Sequence, residues 1–278
     1  MMNPLKGVHM FSRNLGLISE QDQEALRDSK VLIAGTGGMG GVCAEVLVRM
    51  GVENLTLVDH DIYEESNFNR QLHANKDSIG RYKVEVLAEE FLKINPKINI
   101  KFFPEKVSLE NIESLLDQVD YVVNGMDEMY NSLILERTAR KKGITIVDAW
   151  LTPYASVFVM TPDSPHWEDF LDLPTKGVPF DQLTPELCNE AVDIEVKYTF
   201  SHFSPFKIIS KELVQDIVYK KRPRPSLAPV VWLSGVLMAN EVFKLATKQP
   251  HTDYRGIFFD QYEMSLQAGT AKTFKKVA

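Results

Sequence analysis

Two cations and a carboxylate placed behind a glycine turn carry the reactive potential of this sequence. The turn is Gly35-x-Gly37-Gly38-x-Gly40, the cations are Arg70 and Lys83, and the carboxylate is Asp127 in Asn124-Gly-Met-Asp127. A glycine turn that opens a helix satisfies a pyrophosphate largely unaided, through the helix N-terminus and its free N–H groups. A triphosphate carries more charge and needs fixed cations and a metal, which Arg70, Lys83 and Asp127 are placed to supply. A nucleoside triphosphate with Mg²⁺ is therefore the expected pair, with Asp127 as the metal ligand. No G-x-x-x-x-G-K-[ST] segment occurs, which excludes the P-loop solution. Taken singly, Arg70 and Lys83 read as solvated surface cations and Asp127 as a helix cap ahead of Tyr130. Their joint context is what points to phosphate.

The elements that must position these residues follow a βα alternation. Val31 to Ala34 form a short apolar strand, the glycines open a helix over 39–50, and a second strand at 54–58 ends on Asp59. Asp59 stands 24 residues after Gly35, close to the roughly 20-residue offset at which an acid meets ribose hydroxyls. Ser19 starts an amphipathic helix through Arg27, with Asp22 in capping-box position. After a polar loop at 60–77, helical periodicity runs from Val84 to Leu92 until Asn95-Pro96 stops it. Strand 98–103, helix 109–116, strand 121–123, helix 130–142 and strand 144–148 follow, with Gly143 as a helix stop. This pattern predicts an α/β fold of Rossmann-like type with a doubly wound, mostly parallel sheet. Between Thr161 and Pro229 there are nine prolines and weak periodicity, so this stretch reads as an irregular crossover with one helix near 211–219. An apolar helix at 230–245 and a strand at 256–259 return the chain to the core. Phe11, Trp150 and Trp232 read as core aromatics, and Cys43 as a buried structural thiol.

Composition narrows the function classes. The net charge of −7 argues against a general nucleic-acid or acidic-membrane surface, although Lys220-Lys-Arg-Pro-Arg224 is a local basic run that reads as a solvated linker. Two cysteines are too few for a disulfide framework or a four-cysteine zinc site. The apolar run Leu227 to Ala239 is shorter than the roughly 18 residues of a membrane span, and no signal peptide is visible, so a cytoplasmic protein without a membrane partner is expected.

Further motifs sharpen the reading. The sequence resembles the adenylating E1-like enzymes of the ThiF, MoeB and HesA group. The resemblance rests on Phe11-Ser-Arg13-Asn, the glycine turn, Val58-Asp59-x-Asp61, Asn67-Phe-Asn-Arg70-Gln71, Gly80-x-x-Lys83-Val-Glu, Asn95-Pro96 and Asp127. Pro225 to Leu245 and Gly256-Ile-Phe-Phe-Asp260 add to it. It covers the chain except for about residues 161–224, and it implies a single adenylation domain over 1–278. Within it, residues 1–29 would form a helical arm, 30–160 the nucleotide-binding core, 161–225 the crossover, and 226–278 a C-terminal helix and strands.

By this resemblance, Gly35, Gly37, Gly38 and Gly40 would contact nucleotide and Asp59 the ribose, with Asp61 in the same motif. Ser66, Asn67, Asn69, Arg70, Gln71 and Lys83 would surround the phosphates, with Arg70 and Lys83 stabilising the transition state. Asp127 would hold Mg²⁺, and Arg13 would reach the nucleotide of a partner subunit in a homodimer. The implied reaction is attack of a carboxylate on the α-phosphate of ATP, releasing pyrophosphate and leaving an acyl-adenylate. The carboxylate would belong to the C-terminal glycine of a ubiquitin-like or sulfur-carrier protein, with a peptide or a tRNA base as alternatives.

The sequence departs from the family at three places. The paired Cys-x-x-Cys motifs are absent, with Ser164-Pro-His166-Trp-Glu-Asp169 where the first would stand, so no zinc is expected. His166 and Asp169 read there as surface polar residues. The arginine that many members carry after the metal-binding aspartate is replaced in Glu128-Met-Tyr-Asn-Ser132. Cys188 is the one candidate for a thioester-forming thiol, but its surroundings are acidic, against what a reactive thiol needs. Two readings from other classes stay open: a nucleotide-binding scaffold without catalysis, and a nicotinamide-dependent oxidoreductase, for which no catalytic His or Tyr-Lys pair stands out.

Overall fold

The computed structural model describes residues 10–150, 153–204, 206, 208–218, 221–222 and 224–269. Residues 1–9 and 270–278 of the expected arm and C-terminal strands lie outside the described residues, as do Tyr219, Lys220 and Pro223.

Burial on both faces selects the central strands. β1 (Lys30–Ala34) is buried at four successive positions, and it pairs in parallel with β2 (Asn54–Val58) and with β4 (Tyr121–Asn124). β3 (Asn99–Phe103) and β5 (Thr145–Asp148) extend the parallel part, and β6 (Ala155–Met160), β7 (Ile257–Asp260) and β8 (Ser265–Ala268) continue it antiparallel. The strand order is β3-β2-β1-β4-β5-β6-β7-β8. The order reverses between β1 and β4, and that reversal leaves a crevice at the carboxyl ends of the strands where such sheets bind ligands.

Helices cover both faces. α1 (Glu20–Asp28), α2 (Gly38–Met50), α3 (Lys83–Ile94) and α9 (Ala228–Ala246) pack their apolar sides around Leu47, Leu57, Leu87 and Val242. α4 (Ile112–Leu115), α5 (Met129–Lys141), α6 (Trp167–Phe170) and α7 (Pro185–Phe200) bury Leu135, Phe158, Trp167 and Tyr198 on the other face. The expected capping box is present: the Asp22 amide donates to Ser19 Oγ, and the Ser19 amide donates to Asp22 Oδ2. α9 is long and apolar enough to cross a membrane by length and composition, and it packs against α2 and β6.

The crossover is more regular than its prolines suggest. Pro185 opens the 16-residue helix α7 at its first turn, with the Thr184 hydroxyl accepting from the Leu187 amide. There proline costs no helical hydrogen bond, so it marks a start rather than a break. The one helix expected in this stretch is α8 (Lys211–Val218). β6 was also missed, because all six residues are buried and give no alternation to read. The crossover is clipped to α5 by Arg137, whose guanidinium donates twice to Glu168 and also to the Thr175 and Val178 carbonyls. His166 is buried rather than a surface polar residue: its Nδ1 accepts from the Glu168 amide at the start of α6.

Candidate active site

The crevice at the strand reversal opens into a cavity of about 280 Å³. One wall is the glycine turn. Gly35 has φ +82, and a side chain there would collide with the Gly125 carbonyl on the loop after β4. Gly37 differs, because a methyl added to it meets nothing closer than Gln71 Nε2 at 3.8 Å. The protein itself would tolerate a side chain at Gly37, so the small residue there leaves room for something bound.

Asp59 fixes this turn. Its Oδ2 accepts from the Thr36 amide at 2.7 Å and the Thr36 hydroxyl at 3.0 Å, and its Oδ1 accepts from the Asp61 amide. Thr36 received no role from the sequence, yet it ties the turn to β2. Lys83, at the first position of α3, is buried with its Nζ 2.7 Å from Asp61 Oδ2. Burial raises the Asp61 pKa, but the hydrogen bond and charge of Lys83 outweigh it and leave the carboxyl below its usual range. Without a ligand, Lys83 is thus a compensated cation aimed at the cavity.

Arg70 is held by its own loop. Its Nη1 donates to the Ser66 carbonyl and to Asn69 Oδ1, Asn69 Nδ2 donates to the Ser226 carbonyl, and Trp232 Nε1 donates to the Arg70 carbonyl. Trp232 is therefore not the core aromatic expected: it is 40% exposed, and its indole braces the loop that carries Arg70. Phe11 is buried as expected, and Trp150 is half-buried, stacked on Phe158 and on the cavity wall.

Gly35, Gly37, Gly38, Asp59, Asp61, Asn67, Arg70, Gln71, Lys83 and Asp127 all line this one cavity. Gly40, Ser66 and Asn69 stand behind its wall: Gly40 packs on the Gly35 carbonyl, and the other two hold Arg70. Asp127 is exposed on the loop after β4, with no ion pair among the described residues. Its carboxylate is free to take a cation that also holds phosphate oxygens. Asp59, His60 and Asp61 also bring ligand atoms within 4.8 Å of one another. Arg13 is exposed and is not on the cavity wall.

Cys188 lies on α7, is not on the wall either, and burial pushes its thiol pKa up against the opposing charge of Arg137. Both observations go against a nucleophilic role. Cys43 is fully buried, as expected, and its thiol pKa is raised by burial alone.

The inner end of the cavity holds residues that the sequence did not single out. Asn124, Glu136, Asp148, Trp150, Glu195 and Arg224 come from β4, α5, β5, the segment after it, α7 and the segment before α9. Asn124 Nδ2 donates to both Glu136 Oε1 (3.2 Å) and Asp148 Oδ2 (3.1 Å), while its Oδ1 accepts from the Met126 amide. Burial, then the charges of Asp148, Glu195 and Glu168, push Glu136 well above the carboxylate range. Burial pushes Asp148 up to about 7, held back by hydrogen bonds from the Ala149 amide and Asn124. Arg224, placed in the basic run read as a solvated linker, faces this end of the cavity and tempers Glu195.

A glycine turn, two cations, an open carboxylate and an adjoining acid-lined chamber on a doubly wound sheet form a crevice of the kind a nucleotide-dependent enzyme needs. The ThiF family profile matches residues 11–276, and the chain belongs to that family. It is 30% identical over 244 residues to a tRNA threonylcarbamoyladenosine dehydratase of Bacillus subtilis, covering 84% of this chain and 93% of the relative. It is also 30% identical over 127 residues to the adenylyltransferase and sulfurtransferase UBA4 of Saccharomyces cerevisiae, covering 46% of this chain and 29% of that protein. The crystal structure of E. coli MccB with ATP shares the fold, with a TM-score of 0.66 and 20% identity over 90% of this chain and 66% of that one.

Proposed function

We propose that this protein binds ATP with Mg²⁺, adenylates a carboxylate, and passes the acyl group to a nucleophile with release of AMP. The convergence of Arg70, Lys83, Asp127 and the glycine turn on one cavity is the observation that carries this reading. An ionised carboxylate attacks the α-phosphate without a general base, so positioning and charge stabilisation supply the rate. Lys83 turns from Asp61 toward phosphate, Arg70 neutralises charge developing on the transferred group, and Asp127 would hold Mg²⁺, which draws charge from the phosphate oxygens when bound. A homodimer in which Arg13 reaches the partner's nucleotide completes the proposal.

For the substrate we favour a carboxylate carried on tRNA, of the threonylcarbamoyladenosine kind. The support is the end-to-end match to the B. subtilis dehydratase, against a match of under half this chain for UBA4. Exposed Arg222 and Arg224 at the return of the crossover give a local positive edge on a chain of net charge −7. The second reading, the C-terminal glycine of a ubiquitin-like or sulfur-carrier protein or a peptide, keeps the same chemistry. ATP–pyrophosphate exchange decides between them, run with tRNA bearing or lacking threonylcarbamoyladenosine, and with a sulfur-carrier protein. Exchange that depends on the modified tRNA and falls about 10²–10³-fold in Arg70→Ala and Lys83→Ala supports the proposal. Exchange with neither substrate class refutes the adenylation reading.

A further inference from the structure

Adenylation uses a ready-made anion and releases no proton, but the step that follows does. When an N–H or O–H group attacks the acyl carbon, the bond from that carbon to the phosphate oxygen breaks. AMP leaves with the electron pair, and the proton of the attacking group must go to a base. In the reading above, the outer end of the cavity is given over to the phosphates of the nucleotide. Asp59 is occupied by three donors, Glu128 is paired with Lys106, and Asp61, His60 and Asp127 lie with Lys83 and Arg70 where the phosphates would bind.

The inner chamber is different. Asp148 sits at the end of β5, 5% exposed, with its Oδ1 taking the Ala149 amide at 2.6 Å and its Oδ2 taking Asn124. Glu136, 7% exposed, receives a single donor from Asn124 and faces the acids Asp148, Glu195 and Glu168, so it is the member that keeps its proton. The Ala149 amide and the Trp150 side chain, which Glu136 lacks, make Asp148 the anion of the pair. Glu195 of α7 and Arg224 close the chamber on the far side, with Trp150 as a flat wall.

We propose that Asp148 is the base of the second half-reaction, taking the proton from the N–H or O–H group of the substrate that displaces AMP. This rests on the adenylation reading above. Asn124 acts as a positioning residue: its amide, oriented by the Met126 N–H, holds the Asp148 and Glu136 carboxyls side by side.

The test uses the full chain and tRNA carrying threonylcarbamoyladenosine. In single turnover, Asp148→Asn is expected to slow product formation by about 10²–10⁴-fold while reducing pyrophosphate exchange by less than about tenfold. The wild-type second step is expected to speed up as pH rises through about 7, where Asp148 loses its proton, and the variant to lose this dependence. Equal losses in both steps, or an unchanged pH profile in the variant, overturn the assignment. A second measurement is independent of substrate and of whether the variant folds: carbon NMR titration of wild-type protein labelled at its aspartate carboxyls. A carboxyl titrating near 7 is expected, and if every aspartate titrates in the ordinary acidic range, a rise of the second step near pH 7 belongs to another group and the assignment fails. Absence of exchange by wild-type protein refutes the adenylation reading instead, and the titration still judges Asp148.

Discussion

Replacing Arg137 with alanine removes the clip between α5 and the crossover. The guanidinium makes two hydrogen bonds to Glu168, at 2.8 and 2.7 Å, and one each to the Thr175 and Val178 carbonyls at 2.7 Å. It also lies over the Phe180 ring, 4.9 Å from its centre. The Glu168 side chain is 7% exposed and the Arg137 side chain 20%, so the truncation strands a buried carboxylate. Removing one partner of such a pair costs about 3–5 kcal/mol. At about 2 °C per kcal/mol for a chain of this size, the melting temperature falls by roughly 6–10 °C.

Acid gives a second signature of the same pair. Burial raises the Glu168 pKa, but Arg137 outweighs it and leaves the group below its usual range. The stabilisation is present above the unfolded glutamate pKa of about 4.3 and is lost as pH falls through the lower folded value. Urea unfolding at pH 7 and in acid reads both effects, and the gap between wild type and Arg137→Ala should narrow in acid. The double change Arg137→Met with Glu168→Leu should recover most of the loss. A cost below about 1 kcal/mol at neutral pH would refute the buried-pair argument.

Gly37→Ala should leave the melting temperature within about 2 °C of wild type and weaken ATP binding by calorimetry, since the added methyl points into open cavity. Gly35→Ala should instead destabilise by about 1–3 kcal/mol, because its φ of +82 and the neighbouring Gly125 carbonyl both exclude a side chain. Equal behaviour of the two variants would contradict the division between a ligand-facing and a packing glycine. Cys188→Ser should keep turnover within about twofold, as a half-buried thiol of raised pKa outside the cavity has no chemical role. A loss of more than about tenfold would restore the thioester reading.

Local features of the site were legible in the sequence, and assembled ones were not. The glycine turn and Asp59 could be picked out by backbone geometry and spacing, and Arg70 and Lys83 by their shared context, and the cavity gathers all of them. The inner chamber was invisible because Asn124, Glu136, Asp148 and Glu195 come from four separate elements, and each alone looks like an ordinary polar residue. Trp232 was misread for a related reason: on an apolar helix an indole looks like core, and only the placement of Arg70 gives its N–H a partner. In the crossover, Pro185 after Thr184 is a helix-start signal that the high proline content obscured. β6 lost its signature through burial on both faces.

The two hydrogen bonds that brace Arg70 set an order of events during synthesis. Asn69 reaches Ser226 and the Arg70 carbonyl receives Trp232, across 157 and 162 residues of sequence. The strands and helices around the glycine turn emerge from the ribosome early, but the loop that carries Arg70 lacks these supports until α9 has been made and docked on α2. A nascent or truncated chain ending before residue 226 carries the glycine turn without a braced Arg70. On the role proposed for Arg70, ATP competence is acquired late, as a property of the nearly finished chain rather than of its nucleotide-binding half.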